Sequence, residues 1–120
     1  ESIFRLNLSL PLVISKEITP EYAKFKLCFL NNSNFFKGHF EGLPILPGVV
    51  QLFYANWFCE YAFKLDCRCG QIRKIKYSNI IQPAKVVELK LVQDAKGVSF
   101  KYQDENMVYS SGILPLKNLL

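Results

Sequence analysis

Apolar and polar residues alternate along most of this chain, and one segment breaks the alternation. From Ile3 to Leu10, Phe4, Leu6, Leu8 and Leu10 face Arg5, Asn7 and Ser9. That period of two predicts a half-buried strand, which Pro11 ends or marks as an edge. The same period returns from Tyr22 to Leu30, with Phe25, Leu27 and Phe29 against Lys24, Lys26 and Cys28. Asn31-Asn32-Ser33-Asn34 is a loop signal. Val49 to Phe63 then lacks both Pro and Gly and is too long for an ordinary strand. It is apolar on nearly every side, so it predicts a helix buried on most of its surface. Lys64, Asp66 and Gly70 mark its exit. Gln71–Tyr77, Val86–Val92, Val98–Tyr102 and Met107–Leu114 read as strands. Asp94-Ala95-Lys96-Gly97 and Asp104-Glu105-Asn106 supply two of the turns.

Two strands, one long buried helix and four further strands make an α+β domain, with an antiparallel sheet curved around the helix. At 120 residues the chain is read as a single domain spanning 1–120. Half of it is apolar, and ten Phe, six Tyr and one Trp are a heavy aromatic load. That load, with an open sheet edge, predicts pairing of two chains. No apolar run reaches membrane-span length, because Gln51, Asn56 and Glu60 interrupt the longest one. The N-terminus has neither a basic start nor an uninterrupted apolar segment, so no signal peptide is expected and a cytoplasmic protein is.

Fifteen Lys and Arg against ten Asp and Glu give a formal charge of +5. The excess favours an acidic partner. No nucleic-acid motif accompanies it, so nucleic acid is not expected as a ligand. Cys67-Arg68-Cys69 is not the spacing of common zinc sites and no second pair answers it. Cys28 and Cys59 sit inside apolar patterns, where a thiol acts as a small hydrophobe. Neither a metal nor another cofactor is expected.

The candidate chemistry lies between Phe35 and Val50, around His39, the chain's single histidine. The pattern Phe35-Phe36-x-Gly38-His39-Phe40-x-Gly42-x-Pro44-Ile45-x-Pro47-Gly48-Val49 resembles that of the hot-dog-fold β-hydroxyacyl-(acyl carrier protein) dehydratases of fatty-acid and polyketide synthesis. Lys76-Tyr77-Ser78-Asn79-Ile80-Ile81-Gln82-Pro83 resembles the family's strand leading into a Pro-Gly or Pro-Ala turn. The start at a strand and the run Val49-Val50-Gln51-Leu52 are similar to the short dehydratases of aryl-polyene-type gene clusters.

The resemblance implies a hot-dog fold and a 3-hydroxyacyl thioester held on an acyl carrier protein. It implies His39 as the base, a role that suits imidazole near neutral pH. It implies the Gly48 N–H as donor to the thioester oxygen, at a helix start where free amides and the dipole favour an oxyanion. Phe40, Gly42, Pro47, Val49, Phe53 and Trp57 would line the acyl tunnel between subunits. Lys37, Arg73, Lys74 and Lys76 are candidate docking residues for the acidic carrier.

One position departs from the family. Active members carry Glu or Asp fourteen residues after the histidine, and this chain has Phe53. Phe cannot pass a proton to a departing hydroxyl. Losing a positioned acid costs on the order of 10²–10⁴ in rate. Glu60 lies two helical turns, about 10 Å, further along the axis, and Glu41 lies just past His39. In this family base and acid come from opposite subunits, so a heterodimer with a related hot-dog chain can restore one site, whereas a homodimer cannot. The alternatives are a non-catalytic hot-dog subunit that binds acyl chains or stabilises a complex, and an acyl thioesterase on the same fold.

Overall fold

The computed structural model describes residues 10–30, 45–65 and 71–115. They form β1 (Leu12–Ile18), β2 (Tyr22–Cys28), α1 (Gly48–Phe63), β3 (Arg73–Tyr77), β4 (Val86–Asp94), β5 (Gly97–Gln103) and β6 (Val108–Leu114). The six strands make one sheet in the order β1-β2-β4-β5-β6-β3, with every neighbouring pair antiparallel. One helix packs on that sheet, which is the hot-dog arrangement.

Alternation sets the two faces. Ala23, Phe25 and Leu27 of β2, Val87, Leu89 and Leu91 of β4, and Val98, Phe100 and Tyr102 of β5 are buried. They meet Val50, Tyr54, Ala55, Phe58 and Cys59 of α1 in one core. Phe58 packs 4.6 Å from Phe25, ring centre to ring centre, and Tyr54 packs 5.9 Å from Phe29. The expected strands from Tyr22 onward are all present, shifted by at most a few residues at their ends.

A strand that the alternation did not mark precedes β2. The expected strand Ile3–Leu10 lies outside the described residues as far as residue 9, and Leu10 itself is in no strand. The strand that pairs with β2 runs on the far side of Pro11, from Leu12 to Ile18, with a register shift between Val13 and Ser15. All seven of its residues are exposed. As an edge strand with no covered face, it carries no alternation to read.

The helix is also less buried than its composition predicts. Val49 and Tyr61 are exposed, while the polar Gln51 and Asn56 are buried. Gln51 is accommodated by hydrogen bonds. Its Nε2 donates to the Leu46 carbonyl (3.1 Å), the Ser110 hydroxyl donates to its Oε1 (2.6 Å), and the Tyr102 hydroxyl donates to its backbone carbonyl (2.7 Å). These bonds tie the first turn of α1 to β5 and β6. The Leu46 N–H donates to the Ile81 carbonyl (2.8 Å) and fixes the approach to the helix.

Candidate active site

The start of α1 is built by two residues. Pro47 is the N-cap in an extended conformation (φ −63°, ψ 149°) with no side-chain cap. Its carbonyl accepts from the N–H groups of Val50 and Gln51, both at 3.1 Å. The amides of Gly48 and Val49 belong to the first turn, which has no intrahelical acceptors for them, and the turn contains no acidic residue. The positive end of the helix dipole is therefore not neutralised by a side chain of that turn.

Gly48 also sits under a neighbour. A Cβ built at Gly48 would lie 2.5 Å from the Tyr77 hydroxyl oxygen and 2.6 Å from its Cζ. Only glycine lets the β3 tyrosine pack this close to the helix start. Burial raises the Tyr77 pKa above the ordinary phenol value, so its hydroxyl stays protonated at neutral pH. Tyr102 is raised well above that value by burial and by the neighbouring Tyr54 and Tyr77, and burial pushes Tyr54 up to about 12. Two neutral phenols, Tyr77 and Tyr102, thus lie against the start of α1.

Phe53 points its ring edge-on at Tyr54, with centroids 4.9 Å apart and planes at 89°, and packs against the core. Trp57 is half-buried, edge-on to Phe58 at 5.0 Å and stacked on Tyr61 at 5.7 Å with a 12° interplanar angle. Phe53 and Trp57 are one helical turn apart and form an aromatic stripe with Tyr61. Glu60 is half-buried and within reach of the Asn56 amide at 3.5 Å. It is seven residues beyond Phe53, about 10 Å along the axis. The Asn56 Oδ1 is buried without a hydrogen-bond partner.

His39, Phe40, Gly42, Lys37 and Glu41 lie outside the described residues. Gly48, Val49, Phe53 and Trp57 are placed on one helix that Pro47 caps, with Val49 exposed at its start. Arg73, Lys74 and Lys76 lie on β3, an edge strand whose five residues are all exposed. Arg73 already donates from Nη2 to the Lys96 carbonyl at 3.0 Å, bracing β3 against the β4–β5 turn. Tyr77 and the Gln51–Tyr102–Ser110 group were not among the residues expected at the site. Their proximity to Gly48 depends on strand register, which the sequence does not display. A surface depression of about 490 Å³ between Lys26, Lys85 and Asp104 contains none of the candidate residues.

The family model for ApeI-like proteins, described as ApeI dehydratase, matches residues 15–113. The chain belongs to the ApeI-like dehydratase family. Two solved structures share its fold. The dehydratase heterocomplex ApeI:P from Xenorhabdus doucetiae aligns with a TM-score of 0.80 and 24% identity, covering 92% of this chain and 100% of the other. An uncharacterized protein from Erwinia carotovora subsp. atroseptica aligns with a TM-score of 0.75 and 25% identity, covering 92% and 98%. No curated protein matches the chain. Among the described residues, no helix is long and apolar enough to cross a membrane.

The first turn of α1 leaves the Gly48 amide without an intrahelical acceptor, and position 53 carries an apolar ring. Such a site can polarise a carbonyl at Gly48. It cannot protonate a leaving hydroxyl from Phe53.

Proposed function

We propose that this chain is one half of a 3-hydroxyacyl thioester dehydratase. His39 is the base that removes the proton next to the thioester carbonyl, and the Gly48 N–H stabilises the oxygen as it gains charge. The acid that protonates the departing hydroxyl comes from a second, related hot-dog subunit. Phe53 and Trp57 hold the acyl chain, with Pro47, Val49, Phe40 and Gly42 around its reacting end. The thioester arrives on an acyl carrier protein that meets Lys37, Lys74 and Lys76, with Arg73 beside them.

The observation that carries this reading is the contrast along α1. Its first turn at Gly48 has no side-chain cap, and the position of the family's carboxylate is an apolar ring packed on Tyr54. Among the described residues β3 is an edge strand, and its exposure supports a partner. Ile75 and Tyr77 lie open there, and unpaired backbone groups on such an edge are a template for another strand. The similar structure from Xenorhabdus doucetiae is itself a heterocomplex.

Packing of Phe53 favours one second reading, a non-catalytic subunit that binds acyl chains. Turnover of a 3-hydroxyacyl carrier substrate decides between them. The purified chain alone is expected to stay at background, and the complex with an acid-bearing hot-dog subunit to turn over. Ordinary turnover by the chain alone refutes the half-site. A mixed complex that forms and remains inactive supports the non-catalytic reading.

A further inference from the structure

We propose that the outer face of the sheet, opposite α1, is a docking surface for an acidic helix of a partner protein. It takes in Lys74 and Lys76, which the proposed function assigns to the carrier, and it stands without that assignment. The pairing register carries it. Lys24 of β2 is the direct partner of Lys90 of β4, and Lys90 is the direct partner of Lys101 of β5. Lys101 is paired with Ser111 of β6, and Ser111 with Lys76 of β3. Four lysines and one serine therefore form a single row across five adjacent strands. At about 4.8 Å per strand the row is about 19 Å long.

All of these lysines point away from the core. Lys24, Lys90 and Lys101 alternate with buried neighbours, Ala23 and Phe25, Leu89 and Leu91, Phe100 and Tyr102, and Lys76 shares the face of its partner Ser111, which follows the buried Ser110. Like charges directly opposite in a sheet repel, and folding alone gives no reason to align three of them. Among the described residues none of the four makes an ion pair. Glu17, the cross-strand partner of Lys24, accepts from the Tyr22 hydroxyl at 2.7 Å. Glu88, one residue pair along, accepts from Gln103 at 2.9 Å. A shallow depression of about 350 Å³ runs beside the row, lined by Lys74, Lys90, Lys101, Ser99 and Ser111. Its small serines leave room between the lysines.

The pattern selects the occupant. Acidic side chains three or four residues apart on a helix are about 5–6 Å apart, close to the strand spacing. A helix laid across the strands can thus place one carboxylate against each lysine. Single-stranded nucleic acid is bound with aromatic stacking platforms, and the row has none. Phosphate recognition favours arginine forks, and every cation in the row is lysine.

The test uses a labelled helical peptide with Glu at every third or fourth position on one face. Binding to the full chain is followed by fluorescence anisotropy across a salt series. The expected result is saturable binding at low salt that weakens as salt rises. Lys90→Gln with Lys101→Gln should lose about tenfold in affinity, from two charge contacts. Lys64→Gln with Lys85→Gln removes the same charge off the row and should change binding by less than about twofold. Equal losses in the two variants would reduce the effect to net charge and overturn the proposal. So would absence of saturable binding. Tighter, Lys90-dependent binding of a single-stranded oligonucleotide, or of vesicles of phosphatidylcholine and phosphatidylserine, would overturn it in favour of that ligand.

Discussion

Ser110→Ala should destabilise this protein more than its size suggests, because of what it leaves behind. The Ser110 hydroxyl is fully buried and donates to the Gln51 Oε1 at 2.6 Å. Removing it strands a buried amide oxygen, which costs about 1–3 kcal/mol. Tyr102→Phe also removes a donor to Gln51, but from a backbone carbonyl inside a helix. That carbonyl keeps its helical partner, so the loss should be nearer 1 kcal/mol. For a domain of this size 1 kcal/mol corresponds to roughly 4 °C in Tm. Thermal and urea unfolding by circular dichroism should therefore give a Tm lower by about 4–12 °C for Ser110→Ala, with the urea slope unchanged. Tyr102→Phe should fall by about 4 °C. The double variant should fall short of the sum, since both bonds hold one residue. A Ser110→Ala protein within about 1 °C of wild type would refute the view that Gln51 anchors the helix start.

Three further outcomes follow from the site and its surroundings. Gly48→Ala should cost about 1 kcal/mol, overpacking against Tyr77 being partly offset by helix propensity, and adding Tyr77→Ala should remove that cost in a double-mutant unfolding cycle. Phe53→Glu should raise dehydration by the chain alone by on the order of 10² or more, measured on a 3-hydroxyacyl carrier substrate; no rise would mean that base and oxyanion donor are not arranged for the reaction. Asp104 is held at about 2, below its ordinary 3.8, first by the Tyr109 hydroxyl and then by the Asn106 amide. A depressed carboxylate pKa stabilises the fold above the ordinary value, and the stability is lost as pH falls from about 4 through about 2. Acid titration of unfolding should show this loss in the wild type and a smaller one in Asp104→Asn.

The sequence showed the helix, β2 and β4 to β6 because each carries a pattern strong enough to act alone. Val49–Phe63 is too long and apolar for a strand, and β4 to β6 alternate between turns built on Asp94 and Asp104. β1 was not legible, because an edge strand exposed on both faces has no hydrophobic period. Gln51 read as an interruption of an apolar run and is instead a buried anchor, since its donors and acceptor lie five to fifty-nine residues away. Gly48 and Phe53 were legible from a motif. Tyr77 over Gly48 and the lysine row were not, because both arise from register between distant strands.

The account stands on a base in this chain working with an acid in another. Its most direct test is His39→Ala in a mixed complex with a hot-dog subunit that carries the acid. Dehydration should fall by on the order of 10²–10⁴ while the complex still assembles. An assembled complex that keeps its full rate with His39→Ala would contradict the account, because the chemistry would then belong entirely to the partner.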